Sequence, residues 1–356
     1  MDLIKLHKDD NGAVIAFGES RIGGRKENQD SYGVAETAFG FLVVVCDGMG
    51  GGPGGKTASS IAVSNIIEGV KEANKEEETS NIIIKAIRRA NMAIIEAGNE
   101  SPKLKGMGST ATLLLISEKS AFIAHVGDSR VYQVRNGKKI FRTFDHSMVF
   151  EMVEQGIITE EQARLSAQSN IITRALGIKP DVEVDVVEVP FKKGDRFMLC
   201  TDGIHGSMPE SDLLKMVANK NDKLGIVTDE IAREVDNIGN NNGGGHDNLT
   251  IALVETKINS KLKPKMTKQT KIIIIGLIAL VAISFANNII QYVDASSRND
   301  KEGKEIVLLR DSLRQKSDSV LLLKKSLSVV GEKVEKVNEK SSAIDSIKQI
   351  TKEFNK

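Results

Sequence analysis

Four aspartates of this 356-residue chain stand beside turn residues: Asp47 in VVCDGMGG, Asp128 in AHVGDSR, Asp202 in MLCTDG and Asp247 in GGHDN. Singly, each is an ordinary turn former. Together they carry more, because each is read as the point where a strand ends in a turn. A strand delivers its last residue to a sheet edge, and several such edges can converge. Carboxylates with few imidazoles or thiolates among them select a hard, octahedral, oxygen-loving cation such as Mg2+ or Mn2+. Two such ions about 3.5–4 Å apart bridge and deprotonate a water for in-line attack on a phosphoryl group.

The elements needed to hold these acids are legible around them. Residues 41–48 (FLVVVCDG) and 110–117 (TATLLLIS) are short apolar runs closed by turn residues, as buried strands are. The run SAFIAHVGDSRVYQVRNGKKIFR carries the hairpin pair Asn136–Gly137. Residues 181–189 (DVEVDVVEV) alternate with period two, and DRFMLCTDG and LTIALVE complete the strands. Helical patterns fall at 56–68 and at 81–97, the latter with Ile83, Ile84, Ile87, Ala90, Ile94 and Ile95 on one face. Many strands, one hairpin and paired helices predict an α+β fold with helices layered on antiparallel sheets, not a doubly wound parallel sheet.

Eight motifs in order carry a family resemblance: R-x-x-N-Q-D (25–30), DGMGG (47–51), GSTA (108–111), GDSRVY (127–132), DHS (145–147), ITRALG (172–177), CTDG (200–203) and HDN (246–248). The series resembles the metal-dependent serine/threonine protein phosphatases of the protein phosphatase 2C type, in their bacterial form, from about residue 12 to residue 255. The resemblance implies an αββα sandwich, two antiparallel sheets with a helical pair on each outer face. It implies hydrolysis of phosphoserine and phosphothreonine in proteins by a metal-bridging water, with two Mn2+ or Mg2+ ions and room for a third. It makes Asp47 the shared ligand of both ions with the Gly48 carbonyl on one, Asp202 and Asp247 further ligands, and Asp128, with Asp202, the holder of the third. Asp30 matches an acid that hydrogen-bonds metal-bound water. Arg25 matches the arginine on the substrate phosphate, whose oxygens a guanidinium fork can pair bidentately. Two departures stand out. Gln29 replaces a glutamate that reaches the second ion through water, and Met49 replaces a histidine proposed as general acid in eukaryotic relatives. Residues 151–170 match the family's flap beside the active site.

Two rival functions are weighed against this reading. Residues 50–57 spell G-x-x-x-x-G-K-T, the phosphate loop of nucleotide hydrolases, between an apolar strand and a helix. That reading leaves GDSR, HDN and the arginine motif unexplained and wants a parallel sheet. A non-catalytic scaffold of the same family is the other rival, and retention of Asp47, Asp202 and Asp247 opposes it. Cys46 and Cys200 lie inside apolar runs and are expected to be inert. His125, His146 and His246 are expected to order the site by hydrogen bonds and not to ligate metal.

Composition sets the outer bounds. With 40 % hydrophobic and 27 % charged residues the chain is neither disordered nor fibrous. Two cysteines exclude a disulfide scaffold. The start, MDLIKLHKDDNG, has no apolar core of a cleavable export signal. Residues 294–356 hold 14 basic and 11 acidic side chains and 261–271 five lysines, leaving 30 basic against 37 acidic in 1–260. So acidic a domain is no nucleic-acid binder. Residues 272–293 carry no charge over 22 positions, the length of a membrane-spanning helix. The lysines before it predict a cytoplasmic N-terminal domain. After it, ten of twelve heptad positions from Ile306 to Ile344 are apolar, a coiled-coil pattern that predicts a homodimer. The expected organisation is a catalytic domain at 1–258, a basic linker at 259–271, a transmembrane helix at 272–293 and an extracytoplasmic helical tail at 294–356. The expected partners are phosphorylated proteins, a cognate kinase and the membrane.

Overall fold

The structure, a computed structural model, describes residues 4–8, 12–50 and 53–262, with isolated helical positions between 284 and 319. The chain separates into two units, Met1–Lys263 and Pro264–Lys356. Among the described residues no helix is long and apolar enough to cross a membrane. The expected span at 272–293 and the tail at 294–356 lie, those isolated positions apart, outside the described residues.

Two antiparallel sheets form the first unit. One runs in the order β1 (Ile4–Lys8), β2 (Val14–Arg21), β13 (Leu249–Thr256), β12 (Arg196–Cys200), β9 (Arg130–Arg135), β10 (Lys138–Arg142). The other runs β11 (Asp185–Val189), β8 (Ala121–Val126), β7 (Ala111–Ile116), β4 (Gly40–Cys46), β3 (Ser31–Thr37). A two-stranded ribbon, β5 (Gly48–Met49) with β6 (Gly108–Ser109), sits beside the Asp47 turn. The helices are α1 (Pro53–Lys71), α2 (Thr79–Glu100), α3 (Met148–Glu154), α4 (Glu160–Arg164), α5 (Asp202–His205), α6 (Glu210–Ala218) and α7 (Leu224–Asn241).

Burial on both faces explains the unbroken apolar run in β4. Phe41, Val43 and Val45 enter the core between the sheets with Phe197, Leu199, Ala252 and Val254. Leu42, Val44 and Cys46 pack outward against Ala62 and Ile66 of α1 and Ile83 and Ile87 of α2. On the other side, Met198 and Cys200 of β12 pack with Leu213 of α6 and Ile231 and Val235 of α7. The result is the expected order of helices, sheet, sheet, helices. Asn136 (φ 49°) and Gly137 (φ 75°) make the expected hairpin turn between β9 and β10.

Three boundaries differ from expectation. Helices α1 and α2 are longer than 56–68 and 81–97. The alternating run at 181–189 is strand only from Asp185, because Val182 turns into the helix-side core. Asp47, Asp128 and Asp202 follow β4, β8 and β12, but Asp247 precedes β13 instead of ending a strand. Antiparallel pairing corrects the expectation without moving the acid: Cys200 opposes Ile251, so the start of β13 lies beside the end of β12.

Candidate metal centre

Each acid is held by its own motif. The Asp47 N–H donates to Thr110 Oγ1 (2.8 Å), and its carbonyl accepts from the Thr110 N–H (2.8 Å) and the Ser109 hydroxyl (3.0 Å), so GSTA is the bracket of DG. At Gly48 a Cβ would stand 2.0 Å from the Gly55 carbonyl oxygen, so only glycine lets the α1 N-terminus approach. Asp128 follows Gly127, whose φ of +103° and contact with Thr110 exclude a side chain. The Asp128 carbonyl is bonded to His205 Nε2 at 3.0 Å. Asp202 opens α5. Asn248 joins the first and last motifs: its Nδ2 donates to the carbonyls of Ile22 (2.8 Å) and Glu27 (2.9 Å), and its Oδ1 accepts from the Gln29 N–H (2.9 Å). Asp247 accepts from the Asn248 N–H (2.8 Å) and, through Oδ2, from Arg25 Nη2 (2.7 Å). Asp30 Oδ2 accepts from the Thr201 hydroxyl at 3.0 Å.

Asp128, Asp202 and Asp247 line one cavity of about 270 Å³ with Arg25, with Val149 and Phe150 of α3 and, from the flap, with Ala163 and Arg164. Asp47 and Asp30 lie close enough to feel the same charges. Burial, and then repulsion from Asp202 and Asp30, pushes Asp47 far up. Burial and the Asp202 charge do the same to Asp128. Asp202 rises to about 6 through burial and Asp247, and Asp30 to about 7 through burial, Asp202 and Asp247, against donors from Thr250 and Thr201. Asp202 Oδ1 is buried with no hydrogen-bond partner. Buried or half-buried, crowded, all-oxygen and partly orphaned, this set fits divalent cations of the Mn2+ or Mg2+ kind.

The remaining side chains sort by partner. Lys56 Nζ donates to the Asp30 carbonyl (2.7 Å) and Ser31 Oγ (3.1 Å), and β4, the strand before α1, is antiparallel to both its neighbours, β3 and β7, where a phosphate loop needs a parallel sheet; the structure therefore speaks against the phosphate-loop reading of 50–57. Burial drives both thiols, Cys46 and Cys200, far up, as inert thiols require. His246 Nε2 is bonded to Asp236 Oδ1 at 2.8 Å. His125, His146 and Asp185 come close enough together to suggest a second cation site. The hydrogen bonds argue against it. The Gly127 N–H donates to His146 Nδ1 (3.1 Å), and Nε2 lies 3.2 Å from Asp185 Oδ2 and 3.1 Å from Arg174 Nη1. Both ring nitrogens are thus engaged, and Arg174 already supplies the cation, 2.9 Å from Asp185 Oδ1.

Sequence reasoning gave no role to His205, which lines the cavity, or to the buried Arg130–Asp145 pair, bonded twice at 2.7 and 2.6 Å. Asp145 and Arg130 sit inside quoted motifs, so the signal was present. His205 stands three residues past Asp202, and only contact across 77 residues reveals it.

This architecture, two antiparallel sheets between helical layers with acids gathered at one edge, defines a class, and the comparisons agree on it. The family model described as protein phosphatase 2C matches residues 17–235. The chain belongs to that family and is a protein serine/threonine phosphatase. It is 33 % identical over 261 residues to the serine/threonine phosphatase stp of Listeria monocytogenes, covering 72 % of this chain and 94 % of that protein. The crystal structure of the serine/threonine phosphatase Stp1 from Staphylococcus aureus superposes with a TM-score of 0.63 at 28 % identity, covering 68 % of this chain and 94 % of that one. The catalytic domain of the serine/threonine protein phosphatase PstP, solved in complex with two manganese ions, matches at TM-score 0.56 and 28 % identity, covering 68 % and 98 %. Dependence on Mn2+ or Mg2+ accords with that relative.

Proposed function

We propose that the chain hydrolyses phosphoserine and phosphothreonine in protein substrates at the acid cluster, with Asp47, Asp202, Asp247 and the Gly48 carbonyl as ligands of two cations and Asp128 with Asp202 as ligands of a third. The observation that carries this is Asp202: a buried oxygen without a partner, in a cavity whose lining also includes Asp128, Asp247 and Arg25. Bound cations would supply an acidified, correctly placed water and would offset charge on the phosphoryl group. The chain's own residues do the rest. Arg25, half exposed at the rim, exchanges part of its contact with Asp247 for the substrate phosphate. Asp30, anchored by Thr201, accepts a hydrogen bond from the attacking water and holds its lone pair toward phosphorus. Met49 has no proton to give, so the leaving alkoxide would take one from a cation-bound water or another group.

The test is phosphate release from a phosphothreonine peptide by the full chain. Activity should vanish with chelator, return with Mn2+, and fall by orders of magnitude in Asp202→Asn with its fold intact. Undiminished turnover by that variant would sink the ligand assignment.

Our reading also anchors the enzyme in a membrane through 272–293, with the catalytic domain in the cytoplasm and the 294–356 tail outside as a dimerising coiled coil. The 22 uncharged residues, the lysines before them and the heptads after them support it. The kinase that phosphorylates the same proteins is the natural opposing partner. The full chain should pellet with membranes and leave them with detergent; release by high salt alone would overturn the anchor.

A further inference from the structure

The flap leaves the fold at Ser147 and returns at Ile172, which pair as an isolated bridge, with the Met148 N–H on the Ile171 carbonyl at 3.0 Å. Each stem then sends one side chain to the same carboxylate. His146, before the flap, faces Asp185 Oδ2 through Nε2 at 3.2 Å, and Arg174, after it, donates to Asp185 Oδ1 at 2.9 Å. Asp185 opens β11, an edge strand paired across β8 to His125, and His125 stacks on His146 with ring centres 4.4 Å apart. The Thr173 N–H closes the base on the His146 carbonyl at 2.8 Å.

The other edge of His146 leads to the acid cluster. Its Nδ1 accepts from the Gly127 N–H (3.1 Å) while its own N–H donates to the Gly127 carbonyl (3.0 Å), a two-way grip on the residue that presents Asp128. Gly127 holds its +103° φ against Thr110 and has no side chain to anchor it otherwise. We infer that His146 is a positioning residue that couples the flap to Asp128: clasped to Asp185 beside Arg174, it fixes both flap stems and, through Gly127, the acid that the flap covers. The inference rests on the proposed role of Asp128 as a cation ligand.

Such coupling is reciprocal. If a docked flap favours the Asp128 site, cation binding must favour the docked flap by the same factor. The experiment measures protease cleavage within 148–171 of the full chain, without substrate, with and without saturating Mn2+. Mn2+ should slow cleavage of the wild type by about fivefold or more, the scale of ordinary coupling energies. In His146→Gln, whose flexible amide does not hold Gly127 and Asp185 together as the two nitrogens of the rigid ring do, the ratio should fall to near one. Asp128→Asn should lose the protection too. Should His146→Gln fail to fold, Asp185→Asn, on the edge strand, carries the test and should lower the ratio toward one. An unchanged ratio in either folded variant, or no protection in the wild type, overturns the coupling. Mn2+-dependent phosphate release by the wild type is scored separately, so failure of the functional reading is seen as loss of that activity and not of the ratio.

Discussion

Gly239→Ala tests how firmly Asp247 is seated. Gly239 lies on the buried side of α7, and a Cβ built there would meet His246 Cγ at 2.2 Å and Cδ2 and Nδ1 at 2.5 Å. These are the root and body of a ring, not the tip of a flexible chain. The ring must retreat by about 1.2 Å to reach ordinary contact at 3.4 Å. It cannot do so alone, because its Nε2 is bonded to Asp236 on the same helix and its carbonyl takes the Gly24 N–H at 3.0 Å. The strain passes to Asp247, the next residue. A ligand displaced by about 1 Å costs on the order of 10²-fold in turnover. Stability moves less, since the helix gains about 1 kcal/mol from Gly→Ala while overpacking costs about 1–3 kcal/mol. We expect a net loss near 1 kcal/mol, a fall in Tm of about 2–4 °C. The assay is kcat on a phosphothreonine peptide with Mn2+, beside a thermal melt. Removing the ring supplies the control: in a His246→Ala background Gly239→Ala should become neutral or stabilising, a coupling of about 1 kcal/mol or more. A Gly239→Ala protein with full kcat and a raised Tm would refute the seating of Asp247 against α7.

Arg25→Ala removes a charge-assisted phosphate contact worth about 1.5–3 kcal/mol, so KM should rise roughly 10- to 100-fold with kcat changed little; steady-state kinetics decide, and a pure kcat loss would refute the role. The stabilisation that Mn2+ confers should grow as pH rises through 6 to 7. Asp202 and Asp30 rise to about 6 and about 7, so the folded metal-free protein keeps protons that the unfolded chain has lost, and their contribution to stability fades as pH climbs through those values. Cations replace those protons. His125 and His205, lowered to about 4 and about 3 chiefly by burial, act with the opposite sign, and they cancel in the difference with and without Mn2+. Tm against pH in both states is the measurement, and a metal increment that shrinks from pH 5 to 7.5 would refute it.

What the sequence made legible follows from what is local. An apolar run ending in Asp-Gly announces a strand that hands over an acid, and β4 and β12 do so. The Asn136–Gly137 turn needs no neighbour to be read. The class of metal follows from the acids, since both cysteines are buried in strands and the histidines at the cavity are bonded elsewhere, His205 to the Asp128 carbonyl and His246 to Asp236. Less legible were contacts made by chain reversal. The place of Asp247 before a strand is one such case, because nothing in GGHDN says that the following strand lies antiparallel beside the end of β12. The phosphate-loop pattern is a true local match, defeated only by sheet direction and by Lys56 lying on Asp30 and Ser31. His205 on the Asp128 carbonyl and His146 between Asp185 and Gly127 join residues far apart in sequence, and no periodicity records such pairs.

The division of the acids between the sheets has a consequence for how the enzyme is built. Asp47 and Asp128 follow β4 and β8 of the five-stranded sheet, while Asp202 follows β12 and Asp247 precedes β13 of the six-stranded sheet. Neither sheet alone can assemble the site. Their separation is set by Val43 and Val45 meeting Leu199 and Ala252, a core close-packed enough that a lost methylene is felt. Burying these carboxylates and bringing them together without cations is unfavourable, as the raised protonation of Asp30, Asp47, Asp128 and Asp202, driven first by burial and then by their neighbours' charges, records. The apolar contacts between the sheets therefore oppose the repulsion at their edge. Cation binding relieves the repulsion, and so strengthens the sandwich that positions it. The flap stands outside this balance, tied to it through the base at His146 and Asp185 and, at its far end, through Arg142 on Glu160 and Arg164 on the Gly206 carbonyl.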